Sequence, residues 1–590
     1  MSIKEKLKNI FNKNNKNNKV EVVNINENEP KETSVKSEKE IFEEKIPLSQ
    51  RLQNMSEKLF VLIRWAIIIF AVIMLLIIAI DAFYKTGYFK TSYDYALEKT
   101  DYKYDNMLEN LAYITCFLFI IYILQKVLSK IKLKYVIPIM LVLIFVLFIR
   151  FIFVLKLVPI ADQGQMMILA DAVYNDIINL HVNPGSYLDM FPYQFGFAYY
   201  AGTIFKIMDI FKNIITVDRF IVLQILNAIY SLISMIVLYF IGIRLFEKED
   251  GQFHRHEKFI LMILIAYFSV YFMLFNTHVY GNIPGFMFAI ISFLFTLRFV
   301  EKERWIDLII AGISIVIAIN FKTNYQIFLI AILGILFFKF MKNIRLRNVV
   351  SVILIGVIFI TGSNLTDFVL EKNIGRAVPA GVPMITYMYM GWAPSNTLSS
   401  GWYTGDVINI YHRNDFNHID TAEETKELFK KRINHFKNDL PEFKRYAIDK
   451  FESTWINPTF QTLWVATPDG MRVNNDAEYK NHILENDWII ESTDYTSQRY
   501  HFIERLFDSF SIIVFLFAGI GLISIIKRND IERLLLIVTF IGGLVFHFVL
   551  WETKAIYVLP YYFLLLPYAA IGINKLFENI QILLSRLKKI

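Results

Sequence analysis

Charged residues that stand where long apolar runs meet polar loops are the natural place to look for chemistry. Asp162, Arg219, Lys322, Glu552 and Lys554 all sit at such junctions. Interfacial and intramembrane charges are costly to place, so each raises a functional hypothesis. A carboxylate can take the proton of an attacking hydroxyl, and a cation can hold the charge that develops on a departing phosphate. Together they fit the transfer of a sugar from a lipid-borne phosphate to an acceptor hydroxyl. In that scheme Asp162 is the general base and Asp171 a second catalytic carboxylate. Arg219, Lys322 and Lys554 are the phosphate ligands, and Glu552 is a substrate contact.

Each of these residues also has a purely structural reading. Asp162 with Gln165 three positions on fits a capping box for the helix that follows. Asp171 fits the polar face of that helix. Lys322, between two short apolar runs, fits a snorkelling lysine. Glu552 and Lys554 fit a pair with each other. His278 lies beside Asn282 near a very short loop and is a candidate substrate contact or metal ligand. No ligand set with diagnostic metal spacing accompanies it, so no metal or other cofactor is assigned and a divalent ion is left open.

The elements that must carry these residues are helices. The chain has 590 residues, 55% of them hydrophobic and 19% charged, which defines a polytopic membrane protein. The net charge of +7 is not arranged as a basic tract interleaved with aromatics, so no nucleic-acid partner is expected. Cys116 is the single cysteine and lies in an apolar run, which excludes an internal disulfide. Residues 1–57 read as a disordered tail, basic first and acidic from Glu38 to Glu44. Its first residues, with Ile3, Leu7, Ile10 and Phe11, have the spacing of a short surface helix.

Hydropathy predicts about twelve spans of bilayer length, at 59–81, 110–128, 135–158, 217–245, 259–278, 284–300, 306–321, 325–341, 348–364, 507–526, 533–551 and 556–575. Lys and Arg concentrate in the loops around 130–134, 244–258, 298–304, 339–347 and 527–528. The positive-inside rule makes those loops and both termini cytoplasmic. The loops at 82–109, 159–216, 279–283, 365–506 and 552–555 then face outside. Span parity makes 190–211, with Pro192, Gly196 and Lys206, a juxtamembrane or re-entrant segment rather than another span. The division is therefore a tail (1–57), a transmembrane catalytic module (58–364) with a first outer loop (159–216), an extracytoplasmic domain (365–506) and a C-terminal transmembrane part (507–590). In the outer domain Trp392, Trp402, Tyr403 and Trp455 fit either sugar-stacking surfaces or domain packing. Residues 421–435 fit an amphipathic helix with acidic residues first and basic residues last.

The order of parts resembles the GT-C superfamily of polyprenyl-phosphate-sugar-dependent glycosyltransferases, which includes protein O-mannosyltransferases and the lipid A aminoarabinose transferase. Ala161-Asp162-Gln163 stands where that family has a catalytic acidic residue after a spanning helix. Phe191-Pro192-Tyr193-Gln194-Phe195-Gly196 is similar to its Pro- and aromatic-rich outer segment. Asp218-Arg219 and Asn320-Phe321-Lys322 resemble the basic residues at later span ends. Trp551-Glu552-Thr553-Lys554-Ala555-Ile556-Tyr557 resembles its late outer loop, with Ala555-Ile556 where an Arg is usual. Two further departures are the two extra spans before the family's first helix, and His278, Tyr280 and Asn282 where many members have an acidic residue.

The resemblance implies a bundle of about twelve spans with outer juxtamembrane helices and a mixed outer-face domain. It also implies substrate contacts at Gln163, Tyr193, Gln194, His278, Glu552 and Tyr557. The expected protein is an all-α integral membrane glycosyltransferase of the plasma membrane. It uses a polyprenyl-phosphate sugar, inverts the anomeric centre and acts on a cell-envelope glycan, lipid or protein. Membrane lipids, donor and acceptor are its expected partners; its oligomeric state is not legible. The alternative is a polytopic transporter or lipid-linked-sugar flippase, against which stands the lack of matching halves.

Overall fold

Long apolar runs that have no water to satisfy their backbone must become helices, and every run picked out above does. The computed structural model describes residues 48–213, 216–246, 255–395, 398–469, 477–526 and 530–587. The spanning helices are α1 (Leu48–Tyr84), α2 (Met107–Leu128), α3 (Leu133–Leu155), α7 (Arg219–Phe246), α8 (Arg255–Phe275), α9 (Asn282–Lys302), α11 (Gln326–Lys342), α12 (Leu346–Ile374), α20 (Gln498–Ser524) and α21 (Leu535–Val545) with its flanking turns. These make 10 helices long and apolar enough to cross a membrane, or 11 with the pair α22 (Ala555–Phe563) and α23 (Leu566–Leu587), which bends by 58°. The expected span at 306–321 is α10 (Trp305–Phe321), a shorter apolar helix. The protein is thus an all-α polytopic membrane protein.

Two boundaries move. α1 begins at Leu48, so the last ten residues of the expected disordered tail, 48–57, are helical; Leu48, Leu52 and Met55 supply the helical spacing. Residues 1–47, with the expected surface helix at their start, lie outside the described residues, as do 247–254 of one basic loop. α12 runs on past 364 through a polar turn and stops at Gly375, whose φ of 72° gives the left-handed C-cap that glycine favours.

The loop 82–109 holds a feature the hydropathy reading does not contain. It folds as an antiparallel hairpin, β1 (Lys85–Thr91) with β2 (Ala96–Tyr104), the one sheet among the described residues. From Gly87 to Thr91 burial alternates, with Gly87, Phe89 and Thr91 buried and Tyr88 and Lys90 half-exposed, as a two-faced strand requires. The hairpin is sewn to the later outer segment: Gly87 N donates to Ile456 O at 3.1 Å, Tyr495 N to Thr91 O at 2.9 Å, and Thr100 N to Ser399 Oγ at 3.1 Å.

Between Ile374 and Gln498 lie α13 (Met384–Met390), α14 (Asp406–Arg413), α15 (His418–Asn438), α16 (Leu440–Trp455), α17 (Thr462–Val465), α18 (Ala477–Glu485) and α19 (Asp487–Thr493). α15 contains the expected amphipathic helix, and the Asn417 side chain caps it by accepting from the Ile419 and Asp420 amides. Trp392, Trp402 and Trp455 are 9%, 1% and 2% exposed, so they pack this segment and offer no surface to a sugar. The Trp402 indole donates to Ser453 Oγ at 3.0 Å, which satisfies its one polar atom. Before the bundle's middle, α4 (Ala161–Tyr174), α5 (Tyr187–Met190) and α6 (Phe195–Ile210) form a lateral layer. α6 lies along α4, and a Cβ on Gly202 would collide with Val173 at 2.6 Å. Residues Leu52–Ile590 form one compact unit.

Candidate functional site

The start of α4 places Asp162. Ile160 is the N-cap and no side chain caps this helix end, so Asp162 stands in the first turn instead of closing it. The expected capping box with Gln165 does not form: the cap position belongs to an apolar residue two places earlier. The Asp162 carboxylate is exposed and accepts one hydrogen bond, from Tyr187 OH at 3.2 Å. Its neighbour Gln163 points inward and accepts from Val279 N at 2.9 Å, which ties α4 to the loop between α8 and α9. On that loop Tyr280 OH accepts from Gln194 Nε2 and lies within reach of Tyr187.

Lys322 joins this group because two glycines leave room for its backbone. A Cβ on Gly196 would meet Asn320 O at 1.9 Å, and one on Gly281 would meet Phe321 O at 1.8 Å. No side chain fits at either position, so the turn between α10 and α11 is pressed against both outer loops. The Lys322 ammonium lies 4.2 Å from the ring centroid of Tyr280 and 5.8 Å from that of Tyr557. Among the described residues it has no hydrogen-bond or ion-pair partner. Burial lowers its pKa from the ordinary lysine value to about 8, against the pull of Asp162 and Glu552.

The late loop supplies the other wall. Glu552 is buried, and its Oε1 accepts from Tyr557 OH at 3.1 Å. Its Oε2 is buried with no hydrogen-bond partner among the described residues. Burial raises this carboxyl above the usual range, against the pull of Lys554, Tyr557 and Lys322. Lys554 does not pair with Glu552. It donates to Glu98 of the hairpin, whose Oε1 also accepts from Gln461 Nε2 at 2.7 Å. Burial acts to lower the Lys554 ammonium, but Glu98, Glu552 and Asp162 outweigh it and raise it. Tyr193 OH meets Tyr387 OH at 3.3 Å, and the Tyr387 ring stacks on Trp551 at 4.5 Å and 7°.

Asp162, Tyr193, Gln194, Lys322, Glu552, Lys554 and Tyr557 therefore converge at one end of the bundle, with Gln163 anchoring the first of them. Asp171 and Arg219 do not join them. They pair with each other at 2.7 Å, with the guanidinium 4.3 Å from the Tyr174 ring centroid. They lie about 13 Å further along the α4 axis. His278 stacks on Phe275 at 5.6 Å and 14°, and its carbonyl accepts from Asn227 Nδ2 at 3.2 Å. Among the described residues no group of three or more His, Cys, Asp or Glu converges as metal ligands would. Tyr187, Tyr387 and Glu98 belong to the site and are absent from the sequence reading. Nothing in their local sequence marks them, because their roles come from partners far along the chain.

Residues 204–364 match the family model described as dolichyl-phosphate-mannose-protein mannosyltransferase. The match supports membership of the GT-C superfamily. It supports a membrane glycosyltransferase that uses a lipid-linked sugar donor. The matched segment begins within α6 and ends within α12, so it holds Arg219, His278, Tyr280 and Lys322 but neither Asp162 nor the late loop. No curated protein matches the chain.

Proposed function

We propose that the chain moves a sugar from a polyprenyl-phosphate donor to a cell-envelope acceptor with inversion at the anomeric carbon. The observation that carries this reading is the convergence of Asp162, Lys322 and Glu552 at one end of a helical bundle, with the Lys322 ammonium without a carboxylate of its own. The acceptor hydroxyl gives its proton to the Asp162 carboxylate as its oxygen forms the new bond to the anomeric carbon. The bond from that carbon to the phosphate oxygen breaks on the opposite side, and the departing polyprenyl phosphate takes the electron pair. Lys322 faces that developing charge, where a preorganised cation is most effective. The open Oε2 of Glu552 is a contact for a sugar hydroxyl. Lys554 is a second phosphate contact once it exchanges Glu98 for the donor. Gln163, Tyr193, Gln194 and Tyr557 position the pocket, while Asp171 and Arg219 tie α4 to α7.

The Lys and Arg bias of the loops supports an orientation with this end outside the plasma membrane and both termini in the cytoplasm. On this reading 58–364 is the transmembrane catalytic module, completed by the late loop, and 365–506 is its extracytoplasmic cover. Reporter fusions at Asn364 and Lys527 test the orientation: the reading requires opposite sides. The chemistry is tested with purified protein, a polyprenyl-phosphate sugar and an envelope acceptor fraction. Release of polyprenyl phosphate coupled to glycosylated acceptor supports the reading; donor movement across vesicles without transfer overturns it. Mass spectrometry of envelope glycans from a deletion strain then names the sugar and the acceptor.

A further inference from the structure

The proposed reaction makes no use of a row of buried polar side chains on α7. Gln224, Asn227 and Ser231 stand three and four residues apart, so they share one face of that helix. They are 1%, 4% and 0% exposed. Polar side chains on spanning helices commonly fasten one helix to the next. This row holds a turn instead. Gln224 Nε2 donates to Thr277 O at 3.1 Å, and Asn227 Nδ2 donates to Asn276 O at 3.3 Å and to His278 O at 3.2 Å. Ser231 Oγ donates to Asn276 Oδ1 at 2.7 Å, which steadies the first side chain of the turn. Three consecutive main-chain carbonyls beyond the end of α8 are thereby taken by two amides of α7. A helix end leaves such carbonyls without partners of its own, and away from water an unsatisfied one is costly.

The next residues of the same turn meet the candidate site. Val279 N donates to Gln163 Oε1 at 2.9 Å. Gln163 is buried, while Asp162 beside it is exposed. The N-cap of α4 is the apolar Ile160, and no side chain closes that end. Two side-chain bonds hold the first turn of α4: Gln163 to Val279, and Tyr187 to Asp162. The row on α7, the turn after α8 and the start of α4 therefore form one chain of hydrogen bonds that ends beside the carboxylate. Lys322 stands on a separate turn, between α10 and α11, and meets this loop by packing on the Tyr280 ring.

We propose that Gln224 and Asn227 are positioning residues for Asp162. With Ser231 they fix the turn 276–279, whose Val279 amide sets the Gln163 side chain and with it the first turn of α4. The proposal rests on the reading of Asp162 as the general base. It connects the family-matched segment 204–364, which contains both the row and the turn, to a carboxylate outside that segment. A base must stand within hydrogen-bond reach of the hydroxyl it deprotonates, and a misplacement on the order of 1 Å caused by a remote change costs about a hundredfold in rate. Lys322 is carried by other helices, so the row acts on transfer more than on donor binding.

The test uses the full chain in detergent, with Asn227→Leu and Gln224→Met, which remove the donors at similar volume. Single-turnover transfer from a polyprenyl-phosphate sugar to an envelope acceptor fraction is read per folded protein, beside donor affinity and hydrogen exchange over residues 276–281. Asn227→Leu should lower transfer by up to about a hundredfold while donor affinity stays within a few-fold, and exchange over 276–281 should rise. Gln163→Leu should give the same pattern. The double variant of Gln163→Leu with Asn227→Leu should be no slower than the slower single one, since both break one chain of bonds. Gln224→Met, which frees one carbonyl instead of two, should fall between wild type and Asn227→Leu, and it decides the matter if Asn227→Leu does not fold. Equal losses of transfer and donor affinity, losses that multiply in the double variant, or wild-type transfer in the folded variants overturns the proposal. A wild type that binds donor but transfers no sugar overturns the glycosyltransferase reading, and the role of the base with it. Unchanged exchange in Asn227→Leu beside a wild type that does transfer overturns the positioning role alone.

Discussion

The two loops that bring carboxylates to the candidate site are held in opposite ways. The late loop is fastened at every residue. Lys450 donates to Trp551 O at 2.9 Å and to Gly391 O at 2.7 Å. Thr553 N donates to Gly401 O at 2.8 Å, and its hydroxyl meets Thr454 Oγ1 at 2.8 Å. Trp551 is sandwiched between Tyr387 and Phe546. Asp162, by contrast, is exposed and keeps a single side-chain bond, to Tyr187. A wall that must present a fixed surface is braced from behind by the 365–506 segment. On the proposed reading, the group that changes its protonation during the reaction is left exposed with one phenol. Substitutions at the two loops should therefore fail differently, one in chemistry and the other in placement.

The largest effect should come from Asp162→Asn. Asn keeps the size and can still accept from Tyr187, so the fold and donor affinity should hold within a few-fold. Loss of the base should lower turnover by about 10²–10⁴-fold, read by single-turnover transfer beside donor binding. Full turnover in this variant would erase the contrast and leave α4 a scaffold.

Lys322 comes next. Lys322→Ala should weaken donor affinity by about ten- to a hundredfold, the range for a charge-assisted contact. Its charge also gives the contrast a pH axis. With the ammonium lowered to about 8 by burial, the phosphate-binding form dominates below that pH and is lost as pH rises through it. Donor affinity should fall across that interval in the wild type. Lys322→Arg should abolish the fall, since Arg stays charged. A pH-independent affinity in the wild type would remove Lys322 from the phosphate contact.

Lys450 sharpens the other side. It is 0% exposed, and burial lowers its ammonium to about 7, with Glu552 acting to raise it. Lys450→Met keeps the volume but leaves two buried carbonyls without this donor, which costs about 1–3 kcal/mol. The expected result is a lower melting temperature and reduced turnover while donor affinity changes little. A variant with normal stability and turnover would show that the late loop stands without its brace. The smallest effect belongs to Asp171→Asn. Its pair with Arg219 is exposed, and such pairs contribute about 0.2–1 kcal/mol, so stability should barely move and turnover should stay within a few-fold. A large loss of turnover there would shift the base from Asp162 to Asp171.

What could be read from the sequence follows from the range of the interactions. The spans were legible because a bilayer imposes a length on each one separately, and Asp162, Lys322 and Glu552 because each is a charge at the outer end of an apolar run, away from the basic loops. Partners were not legible. Lys554 beside Glu552 reads locally as a pair, yet its carboxylate comes from Glu98. The Asp162–Gln165 spacing reads as a capping box, yet the helix starts one residue before Asp162. Trp392, Trp402 and Trp455 look alike whether they stack on a sugar or fill a core, and only the packing decides. The hairpin was missed because a short polar loop with alternating side chains gives a weak signal beside the apolar runs around it.

The contact between Glu98 and Lys554 joins residues 456 positions apart. A ribosome feeding this chain into a membrane would release Glu98 soon after α1, and Lys554 only after α20 and α21 had been made. Glu98 would wait through the synthesis of all the residues between them without its cation, and the mouth of the candidate site would stay open at that corner. The late loop that faces Lys322 would arrive at the same late moment. A nascent chain stalled before Lys554 would carry the segment matched to the mannosyltransferase family, with every helix from α7 to α12 made, and still lack this corner of the candidate site. The order of synthesis thus puts the closing of this corner of the candidate site after the making of every helix from α7 to α12.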